Sequence, residues 1–259
     1  MDLTTAALLS AAGFAGGIVT AIVGAASLIT FPAMLAAGLP PVLASASNNV
    51  AMTPSNFVAA WVDYRRLPAW KPAFWRVIAV VAAGSAFGAW LLMRTPEASF
   101  AKLVPVLIGL ATVLFAFAGS VRGWIARHGE DPALHSARAD RMGVALLAPV
   151  AVYAGYFGAG TSIMLLAILS LGRASDFRTL NVLKNLLSGI SSLVAVVIFI
   201  VGGMVAWPQT LAMVTGALTG GYVGGRVARV IPAEIVRWIV IVVGTTVTAV
   251  SARRYWWNP

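Results

Sequence analysis

Eight apolar stretches, charged only at Arg76, Lys184 and Arg237 near their starts, follow one another along the chain, at about 6–38, 43–62, 73–93, 103–121, 142–171, 179–205, 208–225 and 235–252. Each holds 18 residues or more, the length at which an α-helix approaches the ~30 Å of a hydrocarbon core. The stretches are continuous rather than alternating, which predicts helices and not the strands of a barrel. The breaks between them are short and polar, among them DYRRLPAWKPAFWR, RTPEASFAK and LGRASDFR. The longest, RGWIARHGEDPALHSARADR at 122–141, falls near the middle of the chain.

The two sides of that break correspond. Val23 to Ser27 (VGAAS) pairs with Phe157 to Thr161 (FGAGT) at an offset of 134, and Gly38 with Gly172 at the same offset. LPAW ending at Trp70 pairs with MVAW ending at Trp207, and Gly84 and Gly88 pair with Gly220 and Gly224. Each match is short, but together they keep their order, which indicates an internal duplication. The division is a first transmembrane repeat at 1–121, a linker at 122–141 and a second transmembrane repeat at 142–259.

The first element of each half is broken by a turn, Gly24-Ala25-Ala26-Ser27 in one and Gly158-Ala159-Gly160-Thr161 in the other. The pieces after the breaks, 27–38 and 161–171, offer only about 17 Å of helix, too little to span. A re-entrant hairpin, entering and leaving on one side, is expected instead. Basic residues test this expectation. With both broken elements returning to their own side, the loops at 63–76, 122–141, 172–184 and 226–237 share a face and hold 14 of the 18 Lys and Arg. If each broken element crossed once, the split would be 10 to 8. The positive-inside rule favours the first arrangement and makes the linker cytoplasmic. Each half then has three crossings and a hairpin, and an odd number of crossings inverts the second half. The predicted fold is an all-α integral membrane protein of two inverted repeats, each a re-entrant broken-helix hairpin followed by three transmembrane helices.

Composition agrees. Of 259 residues 60% are hydrophobic and 10% charged, with mean hydropathy +0.90, too few charges to coat a soluble or disordered chain. The net charge of +10 sits in short loops between apolar segments. It reads as a topology signal and a lipid-headgroup anchor, so the bilayer rather than nucleic acid is the expected partner. Trp61, Tyr64, Trp70, Trp75, Trp207 and Tyr255 to Trp257 lie near segment ends, as an interfacial belt does. The chain has no cysteine, and hence no disulfide or thiolate chemistry. Asp2 and the lack of a basic residue distinguish the N-terminal stretch from a signal peptide. His128 and His135 have no metal-ligand partners in the pattern, and no nucleophile–base pair or phosphate loop is present. No cofactor and no enzymatic activity are expected.

All eight carboxylates lie in loops or at segment ends: Asp2, Asp63, Glu97, Glu130, Asp131, Asp140, Asp176 and Glu234. A cation pump or carboxylate proton relay needs one inside the membrane, so an anion or neutral solute is the expected cargo. The turns supply what an anion requires. Each short second half-helix begins with unpaired N–H groups at the positive end of its dipole, and Ser27 and Thr161 are N-cap residue types at matching positions. Inverted repeats bring both turns toward one cavity. The binding candidates here are Gly24, Ala25, Ala26 and Ser27, with Gly158, Gly160, Thr161 and Ser162. The competing reading is that these glycines only allow close helix packing, as Gly84, Gly88, Gly216, Gly220 and Gly224 are read to do.

A polar stripe follows each hairpin. Ser45, Asn48, Asn49, Met52 and Asn56 share one helix face, and Asn181, Lys184, Asn185, Ser188 and Ser192 repeat them at an offset of 136. Amides in hydrocarbon must find partners, so Asn48, Asn49, Asn181, Lys184 and Asn185 join the candidates. Interhelical hydrogen bonding is the alternative. Lys184 either faces the anion or snorkels to the interface.

These features resemble a known family. The glycine-rich turn, the following GLPP loop, the Asn/Ser-bearing helix, the repeat of that unit and the closing SSLVAVVIFIVGGMVAWPQTLAMVTGALTGGYVGGRVARVIP look like the TauE/SafE (TSUP) family. The turns hold fewer glycines than the family's usual run. The resemblance implies a permease of the bacterial inner membrane for a small sulfur-containing anion: sulfite, thiosulfate, or an organosulfonate such as sulfoacetate or an aryl sulfonate. An anion channel of the same architecture is the second reading. The residues leave import or export, and monomer or homo-oligomer, open.

Overall fold

The computed structural model describes residues 1–22, 24–61, 64–67, 72–117, 119, 137–172, 177–227 and 233–257. These form ten long or medium helices and no strand. They are α1 Leu3–Ile22, α2 Ser27–Ala36, α3 Pro41–Trp61, α4 Pro72–Arg94, α5 Glu97–Ala116, α6 Ala137–Tyr156, α7 Thr161–Gly172, α8 Phe177–Val201, α9 Trp207–Val227 and α10 Ala233–Ala252. Five of them, α1, α4, α5, α8 and α10, contain windows long and apolar enough to cross a membrane. The chain is an all-helical integral membrane protein. The helices α3 and α9, which the apolar segments at 43–62 and 208–225 predict, are both 21 residues long but are not among those five. Asn and Ser side chains on α3, and Gln, Thr and Gly residues on α9, dilute their hydropathy.

Helix ends follow local chemistry. Asp2 accepts the Thr5 N–H at 3.1 Å and caps α1. Hydrogen bonding to Thr5, foremost from its side chain, holds the Asp2 carboxyl below the usual range. Gly38, with φ +84°, ends α2: Gly38 N–H bonds Leu35 O and Leu39 N–H bonds Met34 O, the paired bonds of a Schellman motif. Gly203 ends α8 in the same way, with bonds to Ile200 O and Phe199 O. Residues 122–136 of the expected linker, with His128 and His135, lie outside the described residues. Its last five positions, 137–141, are helical and open α6.

The bundle is held by two seams of bare backbone. In one, α1 lies on α9, with Gly216 against Ser10 and Gly220 against Phe14. In the other, α4 lies on α6, with Gly84 against Ala151 and Gly88 against Val152 and Tyr156. Residue numbers rise together along each seam, so each pair runs parallel. Here α1 and α6 are the first elements of their halves, and α4 and α9 the fourth. The packing is therefore reciprocal between the halves. The fifth elements meet each other: Gly109 faces Thr248, Gly244 faces Thr112, and Arg237 donates to Ala116 O. Numbers fall as they rise there, so α5 and α10 are antiparallel. In the centre α3 packs on α8. Phe31, Phe100, Phe157 and Phe199 are buried, while Phe87, Trp90, Val106, Val113 and Val242 cover the outside.

Candidate functional site

Both broken elements fold back on themselves. In the first, α2 returns along α1, with Thr30 against Gly16. The two turns are built alike. Gly24 N–H bonds Val19 O and Gly158 N–H bonds Tyr153 O, positions 134 apart in each case. Gly24, Gly158 and Gly160 have φ of 81°, 79° and 79°, a region that penalises any Cβ. The second turn is braced further: Tyr153 Oη donates to Ala159 O at 2.7 Å, and Phe157 packs edge-on against Phe31 at 5.2 Å.

The turns meet. The position a Cβ would take on Gly24 is 3.9 Å from Ser162 Cβ and 3.7 Å from Lys184 Nζ, and that on Gly158 is 3.5 Å from Asn49 Nδ2. Each turn thus touches the polar helix of the opposite half. Between them lies a cavity of about 60 Å³. Ten of the thirteen predicted residues line it: Gly24, Ala25, Ala26 and Ser27; Asn48 and Asn49; Gly158, Gly160, Thr161 and Ser162. Stripe residues Met52, Asn56, Ser188 and Ser192 line it too, and Phe157 forms an apolar wall. No carboxylate lines it among the described residues. The stripes also bond across the interface, since Asn56 Nδ2 donates to Ser192 Oγ at 3.5 Å.

Asn181, Lys184 and Asn185 do not line the cavity. Lys184 does not snorkel: it is 7% exposed and donates to Asn181 Oδ1 at 2.9 Å. Nine lining residues were not among the thirteen candidates: the four stripe residues and Phe157 named above, and Thr20, Ser55, Ala154 and Ser191. Their signal is present in the sequence. Thr20 and Ala154 are 134 apart, and Ser55 and Ser191 are 136 apart, each one residue before the last member of its stripe. Ser191 is itself hydrogen-bonded to Ser85 of α4.

The capping expectation needs correction. The N-cap of α2 is Ala26, already helical at φ −53° and ψ −40°, and no side chain caps it. Thr161 Oγ1 does not accept an N–H but donates to Gly158 O at 2.8 Å. Before α2 helical geometry starts one residue early, which takes Ser27 out of the capping position, and before α7 the Thr161 hydroxyl is engaged with Gly158 O instead. At the second turn the N–H groups of Ala159, Gly160 and Ser162 have no partner among the described residues. Asn48 Oδ1 and Ser188 Oγ are also buried and unpartnered. Buried polar groups normally find partners, and these find none among the described residues.

The family description "Sulfite exporter TauE/SafE" matches residues 9–251. The chain belongs to the TauE/SafE family. A "Probable membrane transporter protein" of Haemophilus influenzae is 26% identical over 250 residues, 94% of this chain and 92% of that one. "Probable membrane transporter protein YfcA" of Escherichia coli K12 is 25% identical over 90% of this chain and 84% of its own length. "Probable membrane transporter protein ORF9" of a Sinorhizobium species is 27% identical, covering 92% and 88%. No solved structure matches. The chain is a membrane transporter of the TauE/SafE family, and these relatives do not favour the channel reading.

The geometry separates two residues that the sequence makes equivalent. Asn49→Ala is expected to weaken anion binding by roughly ten-fold to a hundred-fold, through loss of a hydrogen bond worth roughly 1.5–3 kcal/mol to a charged ligand. Asn185→Ala, outside the lining, should stay within about two-fold in binding from the face nearer the start of α3, toward which the lining extends. Half-saturation of both variants in proteoliposomes, measured from the face nearer the start of α3, checks this. An equal loss in both would make them paired ligands in one state.

Proposed function

We propose that this TauE/SafE transporter moves a compact sulfur-containing oxyanion, sulfite or thiosulfate foremost, through the cavity between its two turns. The observation that carries this reading is the lining: hydroxyls, amides and backbone N–H groups from both halves, with no carboxylate. Such donors suit a tetrahedral or pyramidal oxyanion. The dipoles of α2 and α7 add positive potential without a fixed charge in the cavity. A site without a fixed charge can hold such an anion and still release it. At about 60 Å³ the cavity is a few times the ~10–15 Å³ that holds one water. It fits a sulfur atom with its oxygens better than an aryl ring, so long or aromatic organosulfonates are disfavoured as cargo.

The halves act as inverted repeats in a bacterial inner membrane. The antiparallel run of α5 and α10 supports this, because equivalent elements that meet across a two-fold axis run oppositely only when that axis lies in the membrane plane. In this arrangement each hairpin re-enters on its own side. The ends of α3 and α9, with the starts of α4, α6, α8 and α10, then share the face whose connections carry 14 of the 18 basic residues. That face is cytoplasmic. Single cysteines at Ala133 and Gln209 in the naturally cysteine-free chain check it in intact cells. An impermeant thiol reagent should label the residue at 209 and spare that at 133, and the reverse would turn the protein over.

Flux into proteoliposomes tests the cargo. Sulfite or thiosulfate should be carried and should compete with each other, while sulfate, taurine and benzenesulfonate move at least ten-fold more slowly. Preference for benzenesulfonate, or no sulfur anion carried, would end this reading.

A further inference from the structure

The cavity is unequal in its two halves. On α3 it reaches from Asn56 back to Asn48, whereas on α8 it stops at Ser188. At the offset of 136, the counterparts of Asn48 and Asn49 are Lys184 and Asn185, and these two stay behind the wall. A buried ammonium therefore stands against Gly24, about one turn of α8 short of the cavity, on the stretch between Phe177 and Ser188. The matching stretch of α3 offers only the uncharged Asn48, 3% exposed and with Oδ1 unpartnered. The site is two-fold in position and not in charge.

We propose that Lys184 is a one-sided anion ligand, entering the site only when it opens toward the start of α8, so that substrate binds more tightly from that face. The proposal rests on the reading of an oxyanion site between inverted halves. Two such halves reach their second conformation by exchanging shapes. Lys184 and Asn185 then take the places that Asn48 and Asn49 hold here, and those two withdraw. The site is neutral in one state and charged in the other. A partly desolvated cation in a narrow cleft raises local anion occupancy by a factor on the order of ten or more. Without a driving force, Vmax/KM must be equal from the two faces, so the tighter face is also the slower. The start of α8 lies at the basic-rich end. The cell interior is thus the high-affinity face, and capture there with release outside into a neutral site is the asymmetry of an exporter.

The test uses the full chain in proteoliposomes, with orientation counted by an impermeant thiol reagent on Gln209→Cys. Half-saturation is measured from each face for sulfite, thiosulfate, sulfate and chloride. The wild type should show roughly ten-fold tighter half-saturation from the α8-start face. Lys184→Gln should abolish the difference, Lys184→Arg should keep it, and the exchange Asn48→Lys with Lys184→Asn should reverse it. Asn48→Lys alone, which leaves Lys184 in place, should tighten the opposite face and so does not depend on the folding of the Lys184 variants. Equal half-saturation from both faces in the wild type, or a difference that Lys184→Gln leaves intact, overturns the proposal. If chloride or sulfate is carried in place of the sulfur anions and the asymmetry still moves with the charge, the one-sided ligand stands and the cargo reading falls. Sulfite flux with symmetric kinetics does the opposite. A monodisperse wild type that carries none of the four anions overturns both.

Discussion

Gly220→Ala is expected to prevent stable assembly of the bundle, while Gly221→Ala, one residue on, leaves it intact. A Cβ on Gly220 would lie 2.0 Å from Phe14 O and 2.7 Å from both Phe14 C and Cα. A Cβ on Gly221 meets nothing within 4 Å. The obstructing atoms at 220 are main chain in the middle of a helix, so no rotamer change relieves the clash. The helices α1 and α9 must move apart by more than an ångström, which opens the whole seam where Gly13, Gly17 and Gly216 also bring backbone to backbone. Inside a membrane, close backbone contact is the main source of helix association, because lipid is as apolar as the side chains. The loss should exceed the usual 0.5–3 kcal/mol of a point mutation, a large share of a stability of roughly 5–15 kcal/mol. Gly88→Ala should behave alike, since its Cβ would lie 2.0 Å from Val152 O. Thermal unfolding and the yield of monodisperse protein in detergent report the outcome. If Gly220→Ala melts within a few degrees of Gly221→Ala, the seam is not what holds the halves.

Those seams were legible in the sequence because spacing alone fixes which glycines share a helix face. The turns were legible too. A glycine-rich break inside a long apolar run has few other uses, and its recurrence 134 residues later removes chance. The polar stripes were legible for the same reason, and adding the i+10 position of each would have reached Ser55 and Ser191. Sequence symmetry could not reveal which half is open. It makes Asn49 and Asn185 equal, and only the cavity, which reaches the first and not the second, separates them. The capping error arose differently. Ser27 and Thr161 are residues of the right type, but a cap depends on the backbone angles before the helix. Ala26 is already helical, and the Thr161 hydroxyl turns to Gly158 O. The start of α6 at Ala137 shows a third effect. Charged residues mark where apolar sequence ends, yet helices continue past the hydrocarbon wherever Ala and Arg sustain them.

Gly158→Leu and Gly24→Leu should reduce transport to the level of empty liposomes, with protein that still inserts and purifies. Two costs must be separated here. The first is strain: at φ of 79° and 81° an L side chain loses about 1–2 kcal/mol, enough to lower a melting temperature but not to unfold the chain. The second is obstruction. The first atom added at Gly158 points at Asn49 Nδ2, 3.5 Å away, and at Ala154 O, 3.3 Å away. At Gly24 it points at Lys184 Nζ and Ser162. A leucine's remaining carbons then occupy the cavity itself and cover the amides that would meet the anion. Gly38 supplies the control, because it has the same conformation, φ +84°, with nothing within 4 Å of its Cβ position. Gly38→Leu therefore carries the strain without the obstruction, and it should transport within a few-fold of wild type while its melting temperature falls about as far as that of Gly158→Leu. Flux and melting temperature measured together on the three variants decide the matter. If Gly38→Leu also loses transport, the turns act through backbone strain alone. If Gly158→Leu transports normally, the turns are packing elements, and the anion must pass elsewhere in the bundle.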